Sequence, residues 1–192
     1  NLKKIYSVIS AIFNPLMVAI ISFGLIIYDD IILPLDHLLF FIAVIFTTIL
    51  PFITITYFKK TGKITTLNTP IRKERIELLA ISAIYNAFGF ILFVTLGASP
   101  ILKGLMFCYA INTAIVWQIT RYWKISIHMI GIGGPIVALW IYGFNYPLIM
   151  LTIIIVVSIS RIALNAHTPT QVVAGTALAM ILAYFELTYL FL

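Results

Sequence analysis

PLIMLTIIIVVSISRIALNAHTPTQVVAGTALAMILAYFELTYLF, residues 147–191, decides how this chain is read. Two apolar runs, 147–164 and 170–191, flank a short polar turn. Each run is roughly as long as the helix needed to cross a ~30 Å hydrocarbon layer. Thr168 followed by Pro169 suits an N-cap and a first-turn proline, so the second run begins as a fresh helix. The turn holds Arg161 and His167. Ionisable groups at a membrane boundary are costly unless they are paired or used.

The rest of the chain repeats the pattern. Of 192 residues, 62% are hydrophobic and 9% charged, and the mean hydropathy is +1.14. Soluble chains are about a quarter charged, so a soluble domain is excluded. Five further apolar segments precede the quoted stretch, at 5–28, 37–57, 76–97, 101–120 and 126–144. Breaks at Asp29-Asp30 with Pro34, Gly97 to Pro100, and Asn145 to Pro147 are turn chemistry. The first run is too long for a signal-peptide core and reads as a span. The expected fold is all-α, a polytopic integral membrane bundle of about seven apolar segments, six or five of them true spans if some are re-entrant. No repeat is visible, and residues 1–192 read as one domain.

Charge gives a direction. With seven spans, every lysine and arginine except Lys103 falls on one face, and Asp29, Asp30 and Asp36 fall on the other. The positive-inside rule then puts the N-terminus in the cytoplasm and the C-terminus outside. Setting aside Arg72, Lys73, Arg75, Lys124 and Arg161 as functional leaves Lys3, Lys4, Lys59, Lys60, Lys63 and Arg121 against Lys103, with the same result. Basic residues here report topology and anionic lipid, so a nucleic-acid partner is not expected. Cys108 is the single cysteine, and the three histidines are far apart, so no metal-ligand spacing exists.

Three polar islands interrupt the apolar pattern: TPIRKERIE at 69–77, RYWKISIHM at 121–129, and the turn in the quoted stretch. They follow the second, fourth and sixth segments, so parity puts all three on one face, even if segments three and four form a re-entrant hairpin. Together they hold Arg72, Lys73, Arg75, Lys124, Ser126, His128, Arg161 and His167. A cationic site with two histidines and few carboxylates suits an anion with several oxygens, such as phosphate, which arginine engages bidentately. Helix N-termini after Pro70, Ser126 and Thr168 would add N–H donors. One histidine can attack phosphorus while the other protonates the leaving oxygen, with arginines stabilising the transferred group. Neither a metal nor any other cofactor is needed.

In this order and membrane side, the islands resemble the type 2 phosphatidic acid phosphatase superfamily, in a compact bacterial branch, over roughly residues 58–180. Its three motifs are K-x6-R-P, P-S-G-H and S-R-x5-H-x3-D. Here the third reads Ser160, Arg161, five residues, then His167. The second keeps Ser126 and His128 but has Ile125 and Ile127 where Pro and Gly stand. The first does not match by spacing: seven residues before Arg75 stands Asn68, and the RKER run takes its place. The resemblance implies a nucleophilic His167 forming a phosphohistidine, and His128 as general acid. It makes Ser126, Arg161 and the basic residues 72, 73 and 75 the phosphate holders. It also implies a site facing away from the cytoplasm, which the charge count reverses. Its aspartate, bonded to the nucleophile, is replaced by Gln171. Glutamine can fix the ring tautomer but cannot stabilise a positive charge on it.

The expected substrate is a lipid phosphate or polyprenyl diphosphate entering sideways from the membrane: phosphatidate, phosphatidylglycerol phosphate, a polyprenyl diphosphate or a lipid A phosphate. Two rivals stand beside it. Gln171 and the altered second motif motivate a catalytically weak or inactive lipid-phosphate binder. Asn86, Asn112 and Gln118 within apolar segments motivate a transporter or channel subunit. Taken singly, Arg161 could snorkel and each histidine could be a satisfied structural residue. Glu186, near the end of the last segment, has no partner evident in the sequence.

Overall fold

The structure is a computed structural model, and it describes residues 2–30, 33–67 and 69–192; Asn68 lies outside them. The described residues form helices and turns: α1 Leu2–Ile12, α2 Pro15–Ile27, α3 Pro34–Lys60, α4 Arg72–Thr95, α5 Pro100–Thr120, α6 Ile127–Tyr142, α7 Pro147–Ala163 and α8 Pro169–Phe191. All seven apolar segments are therefore helical. Four helices, α3, α4, α5 and α8, are long and apolar enough to cross a membrane. The bent pair α1–α2 passes the same test when the two helices are taken together, as one broken span or a re-entrant loop. Of the seven expected apolar segments, with six or five true spans possible, α6 and α7 fall short of the candidate spans because they have only 16 and 17 residues. At 1.5 Å per residue these reach about 25 Å, short of the ~30 Å layer. The missing residues went into the polar turns at 121–126 and 164–168.

Local chemistry explains the breaks. Asn14 Oδ1 accepts the Leu16 N–H at 3.0 Å, capping α2, while Pro15 ends the hydrogen-bond ladder of α1. The two helices meet at a 47° bend. Within α3 a π turn, Ile45–Ile49, precedes Pro51. Proline lacks an N–H and its ring crowds the carbonyl four residues back, and a widened turn relieves that crowding. Gly97, at φ 70°, closes the α4–α5 hairpin. In contrast to the expected start at Pro70, α4 begins at Arg72 with Ile71 as its N-cap.

The bundle packs as lipid-embedded helices do. Phe23, Leu39, Phe93, Leu105, Met106 and Leu187 are fully buried, whereas Phe41, Phe52, Phe88 and Ile155 cover the outside. Without water between helices, small residues that allow close approach decide the contacts. A Cβ on Gly131 would sit 2.7 Å from Pro15 Cβ, and one on Gly133 would sit 2.9 Å from Ala179 Cβ. The first contact locks α6 into the α1–α2 bend, and the second locks α6 to α8. Glu186, unpaired in the sequence reading, accepts a hydrogen bond from Asn112 Nδ2 at 3.1 Å.

Candidate active site

The S-R-x5-H spacing has a local geometric cause. Helix α7 ends at Ala163, and Asn165 follows in the left-handed region at φ 52°. Asparagine tolerates that region better than most residues. Ala166 N–H donates to the Arg161 carbonyl at 3.1 Å and Asn165 N–H to the Ile162 carbonyl at 2.9 Å, a Schellman ending. His167 N–H also donates to the Arg161 carbonyl, at 3.3 Å, so His167 is folded back over Arg161. Thr168 then caps α8 in a capping box with Gln171. Five residues between Arg161 and His167 are thus what a helix stop and a helix start require.

Gln171 belongs to both the cap and the site. Its Oε1 lies 3.4 Å from the Thr168 N–H and 2.9 Å from His167 Nδ1. The Thr168 N–H identifies this atom as the amide oxygen, which only accepts, so the proton of His167 sits on Nδ1. Nε2 keeps its lone pair, and Arg75 Nη1 lies 3.5 Å from it. His167 is 6% exposed. Burial chiefly, and then the Arg75, Lys124 and Arg161 charges, push its pKa down to about 4, against the opposing Gln171 bond. The ring is neutral at pH 7. Lys124, in the turn before α6, has its pKa lowered by burial and then by Arg75 and Arg161.

Arg75 ties two islands together. Its Nε donates to the Thr69 carbonyl at 2.6 Å and its Nη1 to the Ile125 carbonyl at 3.4 Å. Ser126 N–H donates to the Gln171 carbonyl at 3.3 Å, which brings the start of α6 to α8. Gly175 permits this approach, since a Cβ there would stand 3.0 Å from the Ser126 carbonyl oxygen. Ser126 is fully buried, yet its hydroxyl has no hydrogen-bond partner among the described residues, and neither has Arg161 Nε. A buried donor left unmade costs ~1–3 kcal/mol.

The second histidine is held by a residue that the motifs did not single out. His128 Nε2 lies 3.1 Å from the Ser10 carbonyl oxygen and 3.2 Å from the Ser10 hydroxyl. A carbonyl only accepts, so Nε2 carries the proton and Nδ1 is the ring nitrogen left free. Arg161 Nη1 also donates to the Ser10 hydroxyl. Ser160 Oγ donates to the Tyr6 carbonyl at 2.8 Å, seating α1 on α7. His128 is within electrostatic reach of Arg161, Arg75 and His167. Ser10 sits in an amphipathic N-terminal helix, and nothing about its spacing marks it beforehand.

Arg75, Lys124, Ser126, His128, Arg161, His167 and Gln171 thus converge at one end of the bundle. Arg72 does not join them. Its guanidinium donates to the carbonyls of Thr120, at 2.7 Å, and Arg121, capping the C-terminal end of α5. Lys73 is exposed, and positions two apart on a helix do not share a face, so it points away from Arg75. Among the described residues the one salt bridge is Lys63–Glu77 at 2.8 Å, so Arg75, Lys124 and Arg161 have no carboxylate partner. The described residues also hold no group of histidine, cysteine or carboxylate side chains able to bind a metal. Arg75 and His128 both line a cavity of about 190 Å³ that runs inward between the helices. No family model, no curated protein and no solved structure matches this chain.

Proposed function

We propose that this chain is an integral membrane phosphatase acting on a lipid phosphomonoester or diphosphate, through a phosphohistidine on His167 and without a metal. One observation carries the reading. Three cations lacking counter-ions surround a neutral buried histidine whose free nitrogen faces one of them. Cations held together without carboxylates repel one another, and a bound phosphate would relieve that repulsion. The unpartnered Ser126 hydroxyl and Arg161 Nε are the donors such a guest would satisfy.

The chemistry follows from the tautomers. The step needs His128 doubly protonated: Nε2 keeps its proton on the Ser10 carbonyl, and Nδ1 takes a second proton from the bound phosphate monoanion. The His167 Nε2 lone pair attacks phosphorus, the bond from phosphorus to the lipid oxygen breaks, and that oxygen takes the proton from His128 Nδ1. Water then attacks phosphorus, the P–N bond breaks, and its proton returns to His128. Arg75, Arg161 and Lys124 offset the charge on the phosphoryl oxygens. Gln171 keeps the Nδ1 proton of His167 in place but leaves the developing imidazolium unneutralised, so turnover is slow. Arg72 acts on the turn, as a helix-end anchor.

In this reading seven helical segments pack in a bacterial cytoplasmic membrane, with α6 and α7 too short to span unaided. The basic face, which carries the site, is cytoplasmic. Purified protein in detergent with chelator should release inorganic phosphate from at least one of phosphatidate, phosphatidylglycerol phosphate, a polyprenyl diphosphate or a lipid A phosphate. Binding of these lipids with no release from any of them would favour the second reading, a lipid-phosphate binder, for which Gln171 is the motivating residue.

A further inference from the structure

Beyond Arg75 and His128 the cavity continues inward to Asn86 and Asn112. Asn86 follows Arg75 by three turns of α4, about 16 Å deeper at 1.5 Å per residue. The antiparallel neighbour α5 reaches the same level, since Asn86 Nδ2 donates to the Tyr109 carbonyl at 3.1 Å. The walls are mainly apolar, as a hydrocarbon chain requires, but two buried amides interrupt them at this depth. Asn86 and Asn112 are 4% and 5% exposed, and the amide oxygen of each has no hydrogen-bond partner among the described residues. Their amide nitrogens are committed to the Tyr109 carbonyl and Glu186 Oε2, which fixes both oxygens as free acceptors. Ser82 and Thr113 line the same cavity, half-buried, and add two hydroxyls.

We propose that the inner end of this cavity is a binding site for a hydroxyl group carried on the chain of the lipid. Two fixed acceptors require a donor. The hydroxyls of Ser82 and Thr113 favour a guest that can also accept. A hydroxyl does both and brings no charge into the layer, where an ammonium would be costly. An amide oxygen left without a donor is penalised, so the site discriminates against an unsubstituted chain. The polar site stands on the cavity alone, whereas its spacing of about 16 Å from a phosphate rests on the phosphatase reading.

Four probes separate the two claims: ricinoleyl phosphate, oleyl phosphate and the two parent alcohols, which differ only in the mid-chain hydroxyl or in the phosphate. Binding to the full chain in detergent micelles is measured for each. The ricinoleyl compound should bind about threefold to tenfold more tightly than its oleyl partner, the range one net hydrogen bond supplies. Asn86→Leu should bring that ratio to near one without weakening oleyl phosphate. Ser82→Ala with Thr113→Val, a gentler change to the helices, should lower the ratio too. Equal affinities within both pairs in the wild-type protein overturn the proposal. A hydroxyl preference that persists while the phosphate adds no affinity would leave this site standing and remove the phosphate reading instead.

Discussion

At the scale of single residues, the state of His167 follows from two neighbours. Gln171 Oε1 takes the Nδ1 proton, and burial with three nearby cations holds the ring neutral, its pKa down at about 4. A depressed histidine pKa means that the neutral, nucleophilic form persists until pH falls through the folded value. The unfolded chain binds that proton near pH 6.5, so stability from this group is full above 6.5 and is lost as pH falls toward 4. In activity, kcat/KM should stay level through neutral pH on its acid side and drop only as pH approaches about 4. A limb near the ordinary histidine value would show that the ring is not buried among cations. Gln171→Asp places a carboxylate on Nδ1, which favours the imidazolium. It should raise turnover by about tenfold or more and shift the acid limb upward, both read from phosphate-release profiles. Unchanged turnover would mean that the Nδ1 partner does not limit the reaction.

At the scale of elements, the site is made by how helices stop and start. Asn165 ends α7, Thr168 starts α8, and Gly175 and Gly131 let α6 close on α8 and on the α1–α2 bend. Gly131→Ala would put a methyl 2.7 Å from Pro15 Cβ, with the Pro15 backbone at 3.1 Å. Overpacking of this kind costs ~1–3 kcal/mol, so the melting temperature in detergent should fall by several degrees. An unchanged melting temperature would place the bend elsewhere. Much of this was legible in the sequence. Apolar runs gave the helices, Asn14-Pro15 the bend and Thr168-Pro169 the start of α8. Parity put three islands on one face, and the residues of those islands meet, apart from Arg72 and Lys73. The role of Ser10 was not legible, because it depends on where the bend swings α1, a tertiary matter. The partner of Glu186 was hidden for the same reason. The seven apolar segments were legible, but not how many of them span, because a hydropathy run counts residues that turns consume.

At the scale of the whole molecule, orientation and chemistry meet. In the proposed reading, six non-motif cations against Lys103 put the site face in the cytoplasm. In a Cys108→Ser background, Lys60→Cys and Ser99→Cys place single exposed thiols on the opposite ends. An impermeant maleimide should label position 99 in intact cells and position 60 only after permeabilisation. The reverse pattern would turn the molecule over, and the site with it. The central claim is that His167, neutral and ringed by unpaired cations, attacks phosphorus. Its most direct test is phosphate release from the best lipid phosphate, with chelator present, by the wild-type protein and by His167→Ala at matched folding. The account predicts release by the first and none above background by the second, whereas undiminished release by His167→Ala would contradict it.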